Sequence, residues 1–231
     1  MQGVFLVNKP AGWTSFDVVN YVRRIVASVE GKKPKNVKVG HTGTLDPFAT
    51  GLLVLLIGKE YTRRAGELAK ADKTYELIMG LGQTSTTGDP EGEITSVSST
   101  APTREALQRA VEGFSGPIMQ IPPAFSAIKV NGQRAYKLAR EGKEVVLEPR
   151  PVTIHELKIL NYSYPEAKLV VNVSSGTYIR TLVEDIGVML GTGAYTTGLR
   201  RTRVGAYLLT DATDVKGLDP ANLAERLTVI S

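Results

Sequence analysis

Val18, Val19, Val22, Ile25, Val26 and Val29 recur three and four residues apart, the spacing of a helix that buries one face. Before them, Gly3-Val4-Phe5-Leu6-Val7 reads as a strand, and Lys9-Pro10-Ala11-Gly12-Trp13-Thr14-Ser15 as a turn ending in capping residues. Glu30 to Asn36 follows as a basic, flexible loop. Leu52-Leu53-Val54-Leu55-Leu56-Ile57 is an apolar block with the length and branching of a buried strand. A short helical stretch closes at Leu68. Tyr75, Leu77, Met79 and Leu81 then alternate with Glu76, Ile78 and Gly80, the period of a strand that starts at Tyr75.

Beyond this strand the polar run Gln83 to Glu93 predicts a long loop, of the kind that is commonly functional, and Arg104 to Phe114 a helix capped by Thr103. The pattern loosens from Gly116 to Pro151, where Pro117, Pro122 and Pro123 precede a basic stretch, and the segment reads as an excursion from the sheet. Val152 to Tyr164 and Ala167 to Ser174 alternate as an antiparallel pair turning at Tyr164-Pro165-Glu166. Ser175-Gly176-Thr177 leads into a helix over Tyr178 to Leu190, and Leu199 to Leu209 returns as a strand. Strands outnumber helices and no βαβ rhythm persists, so the expected class is α+β around a mixed sheet.

Composition narrows the chemistry. The 231 residues contain no cysteine and two distant histidines, His41 and His155, which excludes a disulfide framework and thiolate chemistry and argues against a zinc site. The N-terminus lacks signal-peptide character and no apolar run reaches membrane-spanning length, so a cytoplasmic protein with no membrane partner is expected. A net charge of +5 suggests a polyanion only weakly. Its distribution says more: cations cluster at Arg23-Arg24, Lys32 to Lys38, Arg63-Arg64, Lys129 to Lys143 and Arg200-Arg201-Arg203, with Tyr136 and Tyr178 among them.

Asp46 stands in Gly40-His41-Thr42-Gly43-Thr44-Leu45-Asp46-Pro47, a glycine-rich and almost uncharged loop running into the apolar block. By itself an Asp-Pro there is a turn residue. Its company changes that reading. Lys9-Pro10-Ala11-Gly12-Trp13-Thr14-Ser15, the Asp46 run, Lys73-Thr74-Tyr75, Ser175-Gly176-Thr177-Tyr178-Ile179-Arg180-Thr181-Leu182 and Leu199-Arg200-Arg201-Thr202 occur in an order that closely resembles the TruB family of tRNA pseudouridine synthases, its bacterial, guide-independent branch. The resemblance runs from about Gly3 to about Tyr207.

The resemblance implies a pseudouridine synthase fold: a mixed, mainly antiparallel central sheet flanked by helices, in one catalytic domain over residues 1–231, with a basic thumb-loop insertion at about 116–151. It implies isomerisation of uridine-55 in the T-loop of tRNA, with Asp46 as the catalytic aspartate, Tyr75 stacked on the target base and Arg180 paired with Asp46. His41, Tyr178 and Leu199 then line the nucleotide pocket, with Lys9, Gly43, Thr44 and Leu45 also assigned to substrate and Asp89 nearby. Lys129, Arg134, Lys137, Arg140, Lys143, Arg200 and Arg201 are assigned to the RNA backbone.

The expected partner is the T-arm stem-loop of tRNA, bound by a monomer without guide RNA, cofactor or metal. Members usually carry a small RNA-binding domain after the catalytic one; the short tail after Thr210 is too small for a core, so no accessory domain is expected.

The chemistry suits one carboxylate. Pseudouridine formation exchanges an N1–C1′ bond for a C5–C1′ bond with no change of oxidation state, and an ionised Asp can attack or stabilise the electron-poor carbon. Burial disfavours a charged carboxylate, so a guanidinium is the expected counterweight. Two other readings remain: a nucleoside or glycoside hydrolase, which generally needs two carboxyl groups, and a non-catalytic tRNA-binding or folding chaperone.

Overall fold

A computed structural model describes residues 1–126, 128–130 and 132–228 of the chain. In chain order it comprises β1 (Gly3–Lys9), α1 (Ser15–Val29), β2 (Val39–His41), β3 (Thr50–Ile57), α2 (Lys59–Arg63), α3 (Ala65–Leu68), β4 (Lys73–Leu81), β5 (Gln83–Ser85), β6 (Ile94–Ser96), α4 (Arg104–Glu112), β7 (Gly116–Gln120), β8 (Lys129–Val130), β9 (Gln133–Arg134), α5 (Ala135–Arg140), β10 (Arg150–Ser163), β11 (Glu166–Val173), α6 (Ile179–Met189), β12 (Ala194–Val204), β13 (Tyr207–Leu208), β14 (Thr213–Asp214) and α7 (Pro220–Glu225). The residues group into two compact units, one of Met1–Tyr75 with the chain from Leu199 onward, the other of Glu76–Gly198.

In the first unit β1 lies antiparallel to β3, with Gly3 opposite Ile57 and Lys9 opposite Gly51, and parallel to β14. Antiparallel β2 and parallel β12 also pair with β3, making a mixed sheet. The unbroken apolar run of β3 is explained by cover on both faces. Leu53, Leu55 and Ile57 join Phe5 and Val7 against Val18, Val19, Val22 and Val26 of α1, while Leu52, Val54 and Leu56 pack with Val4 and Val204 on the other side. α1 starts in a capping box between Thr14 and Asp17. Gly51 is required where β12 crosses: its φ is +100°, and a Cβ there would sit 2.3 Å from the Arg201 carbonyl oxygen.

The second unit carries strand order β4-β11-β10-β7, with β10 antiparallel to both neighbours, and α4 packs against β10 and α6. Several expectations shift here. Gly116–Gln120 is the edge strand β7, paired with β10, so the first residues of the supposed excursion belong to the sheet despite Pro117. Gln83 to Glu93 is not all loop: β5 pairs with β6, returning the chain as a two-stranded ribbon. β12 begins at Ala194, five residues before the expected Leu199, because Gly193 and Gly198 disguise a strand whose side chains at Tyr195 and Thr196 are buried. β4 starts at Lys73 rather than Tyr75. Of the basic segment, Ala127 and Asn131 lie outside the described residues, as does the tail Val229–Ser231.

Candidate functional site

The Asp46 loop is held from below by two buried cations. Lys9, at the end of β1 and 0% exposed, donates from Nζ to the carbonyls of Pro10 (3.0 Å), Trp13 (2.6 Å) and Pro47 (3.1 Å). Arg201, on β12 and 1% exposed, donates from Nε to Leu52 O (2.8 Å), from Nη2 to Gly43 O (3.0 Å) and from Nη1 to Thr44 O (3.4 Å). A buried charge is tolerated only with such a shell of acceptors. Ser15 Oγ adds a third attachment, accepting from Leu45 N (2.8 Å) and donating to Leu45 O (3.1 Å), and Gly12 N donates to Pro47 O (2.8 Å). The residues on both sides of half-buried Asp46 are therefore tied to β1, α1 and β12, and Ala49 N donates to Asp46 O at 3.1 Å.

Positive charge is concentrated beneath this loop. Lys73 donates to Ala69 O (3.0 Å) and Ala71 O (2.6 Å), and burial together with Arg201 lowers its pKa to about 8. A Cβ on Gly43 would touch both Arg201 Nη1 (3.5 Å) and Lys73 Cε (3.6 Å), so the loop backbone runs directly over the two cations. Burial and Arg201 also hold the His41 pKa below its ordinary value, keeping the ring neutral at physiological pH, and its Nδ1 is buried with no hydrogen-bond partner among the described residues. Tyr75 on β4 is 7% exposed and Leu199 on β12 is 9% exposed.

In the second unit Arg180, in the first turn of α6, lies 3.3 Å from the Asp89 carboxylate and donates to Thr87 O (2.6 Å) and Phe125 O (2.8 Å). Asp89 accepts in turn from Thr87 Oγ1 (2.6 Å) and Glu91 N (3.0 Å). Gln120 brackets the start of α6 by donating to Tyr178 O (3.0 Å) and accepting from Tyr178 N (2.8 Å). Burial raises the pKa of Glu184 on the same helix, with Arg180 opposing. Among the described residues, no three histidine, cysteine, aspartate or glutamate side chains come together to hold a metal ion.

The first unit thus brings together Lys9, His41, Gly43, Thr44, Leu45, Asp46, Tyr75, Leu199, Arg200 and Arg201, and the second holds Asp89, Tyr178 and Arg180. Two assigned residues sit deeper than a contact role suggests. Lys9 and Arg201, expected on substrate and RNA backbone, are buried and donate to peptide carbonyls of the Asp46 loop. Arg200, one residue along the same strand, is exposed, as the alternation of a strand dictates. Lys129, Arg134, Lys137, Arg140 and Lys143 are not buried in this way: Lys143 pairs with Glu141 at 2.7 Å, and Arg140 lies over the Tyr136 ring at 5.8 Å. Sequence reasoning missed Ser15, Lys73 and Gln120 as supports. Lys73 could have been found, since it opens one of the ordered blocks; Gln120 left no signal.

Residues 31–179 match the profile described as TruB family pseudouridylate synthase (N terminal domain), and residues 180–226 that of the tRNA pseudouridylate synthase B C-terminal domain. A tRNA pseudouridine synthase B of Bacteroides fragilis is 47% identical over 223 residues, covering 96% of this chain and 92% of the relative. The Aeromonas salmonicida protein of that name is 45% identical over 210 residues, covering 90% of this chain; the match spans 62% of that longer relative. Among solved structures, a Cbf5-Nop10-Gar1 complex contains a chain superposing with a TM-score of 0.69 at 27% identity, over 94% of this chain and 53% of that one.

Proposed function

Since the chain belongs to the TruB family of pseudouridylate synthases, we propose that it isomerises uridine to pseudouridine at position 55 in the T-loop of tRNA, with Asp46 as the catalytic carboxylate. The observation that carries the reading is the placement of Asp46: a half-buried carboxylate on a loop whose neighbouring peptide groups are tied down at Gly43, Thr44, Leu45 and Pro47. Such preorganisation suits a group that must meet a sugar or base carbon in one orientation.

The reaction is balanced within the substrate. The N1–C1′ bond breaks, C1′ rejoins at C5, the C5 proton leaves and N1 is protonated, so no oxidant, cofactor or energy source enters. The target base must leave its stack to reach Asp46. Tyr75 is the platform for the flipped ring, and neutral His41, Gly43, Thr44, Leu45, Tyr178 and Leu199 line the nucleotide. Arg180, whose guanidinium is oriented by Asp89 and the Thr87 and Phe125 carbonyls, is assigned as the counter-charge for the catalytic carboxylate. Arg200 and the thumb cations Lys129, Arg134, Lys137, Arg140 and Lys143 take phosphates. The enzyme acts as a cytoplasmic monomer on the T-arm, without guide RNA.

Mapping pseudouridine in tRNA from cells with and without the protein tests this reading. Loss at position 55 alone is expected; unchanged tRNA would overturn it. Incubation of the protein with tRNA separates the hydrolase alternative, because isomerisation retains the base in the chain and hydrolysis releases free uracil.

A further inference from the structure

We propose that the outer edge of α1 and the turn after it form a second RNA-contact surface, taking backbone phosphates of the tRNA outside the arm that presents the target uridine. The proposal rests on tRNA being the substrate. Residues 23–38 carry six cations, Arg23, Arg24, Lys32, Lys33, Lys35 and Lys38, against one acid, Glu30. That acid is occupied by the amino terminus and by Lys32. The preceding acid, Asp17, is engaged in the helix cap, accepting from Thr14 N (2.8 Å) and Thr14 Oγ1 (2.6 Å). Arg23 is a brace, donating to Asn20 Oδ1 (2.6 Å) and Val39 O (3.3 Å). Arg24, Lys33, Lys35 and Lys38 are exposed, and none pairs with a carboxylate among the described residues. Four uncompensated cations on one short segment make a positive patch whose complement is a polyanion.

The patch is built rather than loose. Pro34–Asn36 is a 3₁₀ turn, closed by Asn36 N to Lys33 O at 2.9 Å, and Val37 anchors the segment in the core at 7% exposure. The surface is also continuous with the catalytic loop. A cavity of about 360 Å³ on the same helix is lined by Gly12, Trp13, Asp17, Asn20, Tyr21 and Arg24. The Gly12 amide at its edge donates to Pro47 O, beside Asp46, at 2.8 Å. Trp13 and Tyr21 meet edge to face at 5.8 Å, placing aromatic surface next to Arg24, a pairing suited to an unpaired base and its phosphate. From that edge α1 runs 15 residues, about 22 Å, to the basic turn. An RNA seated on Asp46 and on the turn together must therefore span about 22 Å through space.

The test uses the full chain with Arg24→Gln, Lys33→Gln, Lys35→Gln and Lys38→Gln combined, all at exposed positions, with melting temperature as the folding check. Binding of whole tRNA and of an isolated T-arm stem-loop is measured across a salt series. For whole tRNA the variant should bind about tenfold more weakly or worse, with a log–log salt slope shallower by about 3 units, and for the stem-loop it should match the parent. Saturated kcat should not change. Equal affinity of variant and parent for whole tRNA would overturn the proposal. Equal loss on both RNAs would overturn it as well, by placing the surface on the target arm. The two readings fail separately: a parent that makes no pseudouridine sinks the proposed activity, while the binding comparison still decides the surface.

Discussion

Lys9 and Arg201 beneath the Asp46 loop, and the cations of the 129–143 segment, are the same two residue types put to opposite uses. The first pair are 0% and 1% exposed and donate to carbonyls of Pro10, Trp13, Pro47, Gly43, Thr44 and Leu52. Lys129, Arg134, Lys137, Arg140 and Lys143 keep their charged ends outside the core. Burial turns a cation into a brace for peptide groups, because its donors must be satisfied from the surrounding backbone; exposure leaves charge available to an anion and screened by salt. The first group should govern stability and kcat, the second affinity and its salt dependence.

Arg201→Ala should break the comparison most severely. It leaves the Gly43, Thr44 and Leu52 carbonyls without their donor and opens a void, an expected loss of about 3–5 kcal/mol in denaturant unfolding. Arg201→Lys sharpens the point, since one ammonium cannot span all three carbonyls: kcat should fall while tRNA affinity stays near the parent's. A variant with lowered affinity and normal kcat would mean that Arg201 serves RNA after all.

Neutralising Lys129, Lys137 and Lys143 to Gln together should give the reverse pattern. The melting temperature should stay put, while binding weakens for any tRNA and the salt slope shrinks by about 0.7–0.9 for each phosphate that no longer meets a cation. A salt titration of Kd reads this directly, and a changed choice of uridine would show that these cations specify as well as grip.

The smallest effect concerns Glu184, close to the Arg180 cluster. Its raised pKa means that the folded state holds the proton more tightly than the unfolded chain does. Stability therefore falls as pH rises from 4.5 through the raised value, and the cost persists above it. Glu184→Gln should raise the melting temperature at pH 7.5 and leave it unchanged near pH 4; a drop at neutral pH would mean that its attraction to Arg180 outweighs burial.

Much of this arrangement was legible in the sequence. The valine repeat of α1, the apolar run of β3 and the alternation of β10 and β11 follow from burial periodicity, and the ordered blocks carry the family resemblance. Whether a cation is buried was not legible, because Arg200 and Arg201 are neighbours of one type and only the facing of β12 separates them. Nor was the pairing of Arg180 with Asp89, which joins residues far apart in sequence. β7 was hidden by Pro117, which an edge strand tolerates.

The most direct measurement is tritium release from 5-tritiated uridine in tRNA by Asp46→Asn, alongside its tRNA affinity. The isosteric amide should abolish release while leaving melting temperature and tRNA binding close to the parent's, since Lys9, Ser15 and Arg201 hold the loop backbone at Pro47, Leu45 and Gly43. Substantial turnover by Asp46→Asn would contradict the assignment of Asp46 as the catalytic group.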